Sequence, residues 1–411
     1  MPSIFTEVCK KDDSFDVIDR IFKDRYHLNN FNRGNSLETL KPYFKHLRSN
    51  IYVLIEHPYV DKVYRDSYYN YYSSKNDFYH RDCLRLSFFD SKIVPEDFRD
   101  PTKKDKIQKS YLGFLILRPT FPYIIGRSVL NPKAIHKKNF KICNVAVDVT
   151  ANSLKLKVEG FPYASQNTET ITCAETTIWS LMEYFGMRYA EYTPALPSKI
   201  TSILSAQSFE RLLPSKGLTA QQISFALKEL GFGVKIYSKI AYKDDFLELL
   251  KVYVESGIPV VGLIQNKKGI GHAQNIIGRA KFSDANIDGL NKPEDYGNGV
   301  LVHDFEWLNL EYVFVDDNHP PYQLAELTKP SSFYEDSKWT GCELTNFIVP
   351  LYPKIYLEAS EARILAKSIL RTAIQNLGLL KNEEIIFKVF LTSSRSYKNE
   401  LTTNDSLEEV P

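Results

Sequence analysis

The fold is decided by one stretch of the chain, Gln166-Asn-Thr-Glu-Thr-Ile-Thr-Cys173-Ala-Glu-Thr-Thr-Ile-Trp179. Its second half opens an amphipathic helix that we predict over Thr172–Phe185. Thr172 and Glu175 fit the Ser/Thr-x-x-Glu pattern of a capping box, which fixes where a helix begins. Cys173 is therefore predicted at the first helical position. The side chains predicted to anchor the helix in a core are Ile178, Leu181, Met182 and Phe185.

A cysteine at a helix start has a chemistry that other cysteines lack. The unpaired amides and the positive end of the helix dipole favour negative charge, and the thiolate is the form of cysteine that attacks carbonyl carbons. Cys173 is thus a candidate nucleophile. The alternative is a small buried apolar residue at a helix start, and the capping pattern alone does not separate the two.

Gln166 lies on the predicted turn that leads into this helix. If the turn folds back beside the sulfur, the Gln166 side-chain amide and the Cys173 backbone N–H provide two hydrogen-bond donors. Two such donors are what the oxyanion of an acyl-transfer reaction requires. The pair favours a catalytic role for Cys173 over a purely structural one.

Two later segments offer partners for a thiol. His272 follows Gly269 and Gly271 and directly precedes a predicted strand, Ala273–Ile277. Glycines at this position let the backbone approach a substrate closely. Another predicted strand, Tyr312–Val315, ends in Asp316, Asp317 and Asn318. A carboxylate or amide that is hydrogen-bonded to an imidazole selects the tautomer that accepts the thiol proton.

Other thiols and imidazoles compete weakly for these roles. Cys342 follows a glycine, but no helix pattern starts there. His303 and His319 lie near the acidic strand end. We predict that His319 is exposed to solvent in a proline-rich turn, and a substrate contact at the site is the alternative.

A glutamine, a Cys-Ala at a helix start and a tryptophan in the next turns resemble the papain-like cysteine peptidase superfamily. The likeness is nearest to the branch that includes the bacteriocin-leader-processing (double-glycine) peptidases. It covers roughly residues 160–325, and the Cys-Gly-Ser-Cys-Trp signature of papain itself is missing. The resemblance implies the roles of four residues. Gln166 would bind the oxyanion, Cys173 would be the nucleophile, His272 its base and Asp317 the third triad member. Asp316 and Asn318 stay open as alternatives to Asp317.

The resemblance also implies a fold class. We expect an α+β, papain-like fold, in which the helix that carries the nucleophile packs on an antiparallel sheet, with an additional N-terminal α/β domain. The predicted domain ranges are 1–155 for the N-terminal domain, 156–395 for the papain-like domain and 396–411 for a polar tail. The tripeptide Gly160-Phe-Pro162 predicts a turn at the entry to the second domain.

Composition argues against several other functional classes. The chain has 52 basic and 50 acidic residues, so its charge gives no case for nucleic acid or an anionic membrane. Its five cysteines form no Cys-x-x-Cys pair, which predicts neither a disulfide framework nor a cysteine zinc site. Gly269-x-Gly271 is followed by Gln274 where a dinucleotide-binding fingerprint needs glycine. We expect no metal and no cofactor. Without a signal-peptide pattern or a long apolar run, we expect a cytoplasmic protein.

These observations predict a cysteine hydrolase, a peptidase or isopeptidase, whose substrate is a protein or peptide. Two alternatives stay open. The same triad serves acyltransferases, transglutaminases and deamidases. A non-catalytic adaptor on a papain-like scaffold would instead bind a protein partner through residues 1–155.

Overall fold

A computed structural model of the chain describes residues 5–26, 36–76, 78–120, 123–136, 139–167, 172–206, 218–283, 286–287, 290, 293–394 and 396–397. These residues form a mixture of α-helices and largely antiparallel sheets, which agrees with the expected α+β class. They divide into two compact units. The first consists of residues 1–138, 144–226 and 315–322, and the second of residues 139–143, 227–314 and 323–411.

The first unit is built on a seven-stranded antiparallel sheet in the order β1-β2-β3-β4-β5-β8-β7. Its strands are β1 (Phe5–Lys10), β2 (Tyr52–Tyr59), β3 (Cys83–Phe89), β4 (Tyr111–Leu117), β5 (Ser128–Leu130), β7 (Val145–Ala151) and β8 (Leu154–Tyr163). Its helices are α1 (Ser14–Asp24), α2 (Ser36–His46), α3 (Lys62–Asn70), α4 (Lys104–Ser110), α5 (Cys173–Arg188) and α6 (Pro197–Ser205).

The sequence explains the different surroundings of these strands. All seven residues of β4 are buried, as its continuous apolar run predicts. Strand β7 instead alternates buried and exposed residues, so one of its faces meets solvent. Strands β7 and β8 are joined by Asn152 and Ser153, both with positive φ, as a tight two-residue hairpin requires.

The turn predicted at Gly160-Phe-Pro162 is wrong, because these residues lie inside β8. Pro162 pairs with Val129 of β5. A Cβ atom on Gly160 would lie only 2.3 Å from the carbonyl oxygen of Leu130. The glycine is therefore needed for a close approach of two strands rather than for a change of direction.

The second unit contains a sheet in the order β15-β14-β11-β10-β16-β9, with β6 beside the far half of β11. Its strands are β6 (Phe140–Ile142), β9 (Gly233–Ser238), β10 (Val260–Gln265), β11 (Gly271–Ala280), β14 (Glu311–Val315), β15 (Gln323–Glu326) and β16 (Glu343–Leu351). A smaller sheet consists of β12 (Glu294–Asp295), β13 (Leu301–Asp304) and β17 (Glu384–Phe387). The helices are α8 (Lys239–Tyr242), α9 (Asp245–Glu255) and α10 (Ala359–Gln375), while α7 (Ala220–Glu229) runs across a boundary between the units.

The boundaries of the two compact units differ from those of the predicted ranges 1–155 and 156–395, because each unit consists of several separate segments of the chain. Strand β8 extends the first sheet to residue 163, and α5 packs on β7 and β8. The Cys173 helix therefore packs on the antiparallel sheet of the first unit, whereas the strands that carry His272 and lead into the acidic segment belong to the sheet of the second unit. Of the predicted tail, residues 398–411 lie outside the described residues. Within the described part of the chain, no helix combines the length and the apolar character needed to cross a bilayer.

Glu306 gives the second unit a pH-dependent stability. It lies in the short 3-10 turn Phe305–Trp307 and is 2% exposed. Burial raises its pKa to about 7, although Arg363 opposes the shift. Between its ordinary pKa of 4.5 and this value, the unfolded chain loses the proton and the folded chain keeps it. The folded state therefore loses stability as pH rises through this window.

We expect the substitution Glu306→Gln to raise the melting temperature at pH 8 and to change it little at pH 4.5. The gain in the free energy of unfolding at pH 8 should be up to about 3 kcal/mol. Thermal unfolding followed by circular dichroism at both pH values measures this. The matched control is Glu255→Gln, because Glu255 bonds Arg279 and Lys388, each at 2.6 Å. Burial would raise the pKa of Glu255, but these partners outweigh it and lower that pKa. Glu255→Gln should lower the melting temperature at pH 8. If both variants raise it, the gain from Glu306→Gln does not come from removing an unfavourable buried charge.

Candidate active site

Cys173 occupies the first residue of α5, as predicted. The Thr172 backbone N–H donates to Oε2 of Glu175 at 2.7 Å, which is the carboxylate arm of the predicted capping box. Cys173 is partly exposed, whereas the helix behind it is buried almost without interruption as far as Phe185. The sulfur therefore lies at the accessible end of a rigid element.

The helix is anchored by apolar burial and by one buried charge. The predicted anchors are all 2% exposed or less: Ile178, Leu181, Met182 and Phe185. Glu183 is also fully buried on α5, with Lys62 at 2.9 Å and Arg127 at 3.9 Å. Arg127 further contacts Asp61 at 3.3 Å, and Asp61 caps α3. This ion-pair network was not predicted, because its partners are far apart in sequence and no local pattern indicates them.

Gln166 is held at both its backbone and its side chain. Arg118 is buried and donates to the Ser165 carbonyl at 3.0 Å, to the Ser165 hydroxyl at 3.1 Å and to the Gln166 carbonyl at 3.4 Å. At the other end, Nε2 of Gln166 donates to Oδ1 of Asn318 at 2.8 Å. Residues 168–171, between this glutamine and the helix, lie outside the described residues.

The acidic segment forms a compact turn. Oδ1 of Asp316 accepts the Asn318 backbone N–H at 2.8 Å and lies 3.2 Å from Nδ1 of His319. Asp317 is buried beside it. The Tyr43 hydroxyl donates to the His319 carbonyl at 3.1 Å. Burial, and then the charges of Asp316 and Asp317, raise the pKa of Tyr43, so its hydroxyl keeps the proton that it donates.

His319 is only partly exposed to solvent, less than its proline-rich turn predicts. Its side chain is 23% exposed and lies against Asp316. The rest of the segment is fixed to the same unit. His46 Nε2 lies 2.9 Å from the Pro321 carbonyl oxygen, and the Tyr322 hydroxyl donates to the Leu130 carbonyl at 2.6 Å. Long-range contacts thus order a turn whose local sequence is typical of an exposed loop.

His272 is the second residue of β11 and is buried. Its ring packs edge-on against Trp339, with centroids 5.3 Å apart, and lies 6.3 Å from the ring of Tyr334. In the same sheet β14 is a neighbour of β11, and the chain leaves β14 directly into Asp316 and Asp317. His272 thus lies at the start of its strand, and the acidic segment follows the neighbouring strand.

The predicted residues are divided between the two units. Gln166, Cys173 and Asp317 belong to the first unit, and His272 belongs to the second. Within the first unit the structure joins Gln166 to Asn318, the direct neighbour of Asp317. The sequence did not indicate this bond or the role of Arg118 behind it. The two bonded side chains are 152 residues apart, a separation at which only the folded chain brings them together.

No protein-family model matches this chain, and a search of curated proteins returns no match. Function is therefore argued from the residues themselves.

Cys9 is a natural control for the reactivity of Cys173, since both are partly exposed. Burial, and then the charges of Glu7 and Asp13, raise the pKa of Cys9 to about 12. Burial also raises the pKa of Cys83 and of Cys342. These three thiols stay protonated at neutral pH and are poor nucleophiles.

At pH 7.5 we expect iodoacetamide to alkylate Cys173 at least tenfold faster than Cys9. Peptide mass spectrometry over a time course gives the rate at each cysteine. A Cys173→Ser variant should lose the fast phase, whereas Cys9→Ala should keep it. Equal rates at Cys9 and Cys173 would show that Cys173 is not an activated thiol.

Proposed function

We propose that this chain is a cysteine hydrolase with a papain-like arrangement of catalytic residues, acting on peptide or isopeptide bonds. One observation carries the proposal. Cys173 is partly exposed at the start of a buried helix, in the same unit as a glutamine whose side-chain amide is held by an acceptor. A nucleophile at a helix N-terminus and an oriented amide donor are two requirements of acyl transfer through an oxyanion.

In the proposed reaction, Sγ of Cys173 attacks the carbonyl carbon while His272 takes the thiol proton. The electron pair of the carbonyl double bond moves to its oxygen. The Cys173 backbone N–H and the Gln166 amide stabilise that oxyanion. His272 then gives its proton to the leaving nitrogen, the carbon–nitrogen bond breaks and a thioester remains. Water attacks the thioester with His272 as base, which releases the acid and restores the thiol.

Asp317 is the third member that we favour. Oδ1 of Asp316 already accepts the Asn318 backbone N–H in its own turn, and Oδ1 of Asn318 accepts from Gln166. Each alternative thus has a role of its own in the turn, and the resemblance aligns the third member with Asp317. Asp317 would accept the second N–H of the His272 imidazole and so hold the tautomer that receives the thiol proton.

The triad predicts which substitutions abolish turnover. We expect Cys173→Ala and His272→Ala each to reduce cleavage of a peptide library by at least about 100-fold, because each removes a group that bonds to or moves a reacting atom. Peptide termini created during incubation are counted by mass spectrometry. The matched controls are Cys9→Ala and His136→Ala. His136 is exposed, so both controls should retain activity within about twofold.

The same incubation separates the alternative functions. An amine donor such as cadaverine becomes attached to the peptides if the chain is an acyltransferase or transglutaminase. A chelator abolishes turnover only if a metal is required. If the parent chain neither cleaves the library nor forms a thioester at Cys173 with p-nitrophenyl acetate, the hydrolase proposal fails and a binding role is left.

A further inference from the structure

We propose that Asn318 is a positioning residue of the oxyanion hole and orients the Gln166 amide towards the substrate. The inference rests on the proposed function, since it assigns a purpose to a bond beside the candidate nucleophile. Its central observation is the 2.8 Å hydrogen bond from Nε2 of Gln166 to Oδ1 of Asn318.

The bond matters because a glutamine amide has two chemically opposite ends. Its nitrogen carries two N–H donors, and its oxygen only accepts. An oxyanion is stabilised by the nitrogen end and repelled by the oxygen end. When Asn318 accepts one N–H, the nitrogen end is fixed on the side of the acidic turn and the second N–H can donate to an oxyanion. Without an acceptor, rotation by about half a turn presents the oxygen instead.

Both ends of this hydrogen bond have rigid support. On the Gln166 side, Arg118 holds the backbone through the carbonyls of Ser165 and Gln166. On the Asn318 side, Oδ1 of Asp316 accepts the Asn318 backbone N–H. Arg118 and Asp316 are each 3% exposed or less. Little conformational freedom is lost when the two side chains meet, so the bond can set an orientation rather than follow one.

The bond also assigns separate tasks to three consecutive residues. An asparagine that orients an imidazole must accept the ring N–H with its side-chain oxygen, and that oxygen of Asn318 is engaged by Gln166. On this assignment Asp316 shapes the turn and Asn318 acts on Gln166, while Asp317 keeps the role that the proposed function gives it.

The test compares two reactions of the same sulfur. Acylation by p-nitrophenyl acetate passes through an oxyanion, whereas alkylation by iodoacetamide does not. We expect Gln166→Ala to slow acylation of Cys173 by about 100-fold and Asn318→Ala by about tenfold. The double variant should be no slower than Gln166→Ala within twofold, because Asn318 acts only through Gln166. Alkylation rates should stay within twofold in every variant.

Two further variants complete the experiment. Asn318→Leu keeps the branching of the side chain but offers no acceptor, so it should match Asn318→Ala even if the smaller alanine destabilises the turn. Asn70→Ala removes an exposed asparagine of the same unit, which donates to Asp66 of α3, and should change neither rate.

The possible results separate this inference from the proposed function. If the parent chain is acylated and both Asn318 variants are acylated at the same rate, the role of Asn318 is overturned and the hydrolase proposal stands. The same conclusion follows if the acylation rate of the double variant falls by the product of the two single losses. It also follows if the variants lose alkylation as well as acylation. A parent chain whose Cys173 is alkylated but never acylated overturns both.

Discussion

Helix α5 packs its apolar side chains against β7 and β8, and the candidate site depends on this contact. Burial of side chains such as Ile178 and Leu181 contributes roughly 1.5–3 kcal/mol each. Glu183 adds a constraint of another kind. Lys62 and Arg127 balance the charge of this buried carboxylate, so they limit the rotation of the helix as well as its depth. Cys173 is held at an accessible end of the helix.

The second constraint is the path of residues 315–322. The chain completes β14, passes through a turn that belongs to the first unit, and returns to the second unit at β15. Within the first unit, Tyr43 and His46 contact the carbonyl oxygens of His319 and Pro321, and the Tyr322 hydroxyl donates to the Leu130 carbonyl. The backbone that carries the Asp316 and Asp317 side chains is therefore fixed. A loop of ordinary composition becomes a defined support because buried hydroxyl and imidazole groups bind its carbonyl oxygens.

The sequence predicted features that local chemistry controls. The capping pattern at Thr172 and Glu175 located the start of α5 to the residue. Features controlled by distant residues were predicted wrongly or not at all. Gly160 reads as a turn residue, because the sequence does not show that the Leu130 carbonyl will lie where its side chain would be.

The same limit applies to the site. Residue types and chain order indicated Gln166, Cys173, His272 and the acidic strand end as candidates. Their supports are long-range: Asn318 for Gln166, Trp339 for His272 and Lys62 for Glu183. Local sequence can therefore propose which side chains react, whereas the groups that hold them in place appear only when the chain is folded.

Accessibility by itself does not explain why Cys173 rather than another thiol is the candidate nucleophile. Cys9 is also partly exposed, yet it lies in a strand, and the negative charges of Glu7 and Asp13 act on its sulfur. A thiolate there would be opposed by both burial and charge. Cys173 instead lies at the end of α5 where backbone amides point outward, a field of the opposite sign. Two partly exposed cysteines thus differ in their electrostatic environment. Backbone amides at the start of a helix surround one, and nearby carboxylates act on the other.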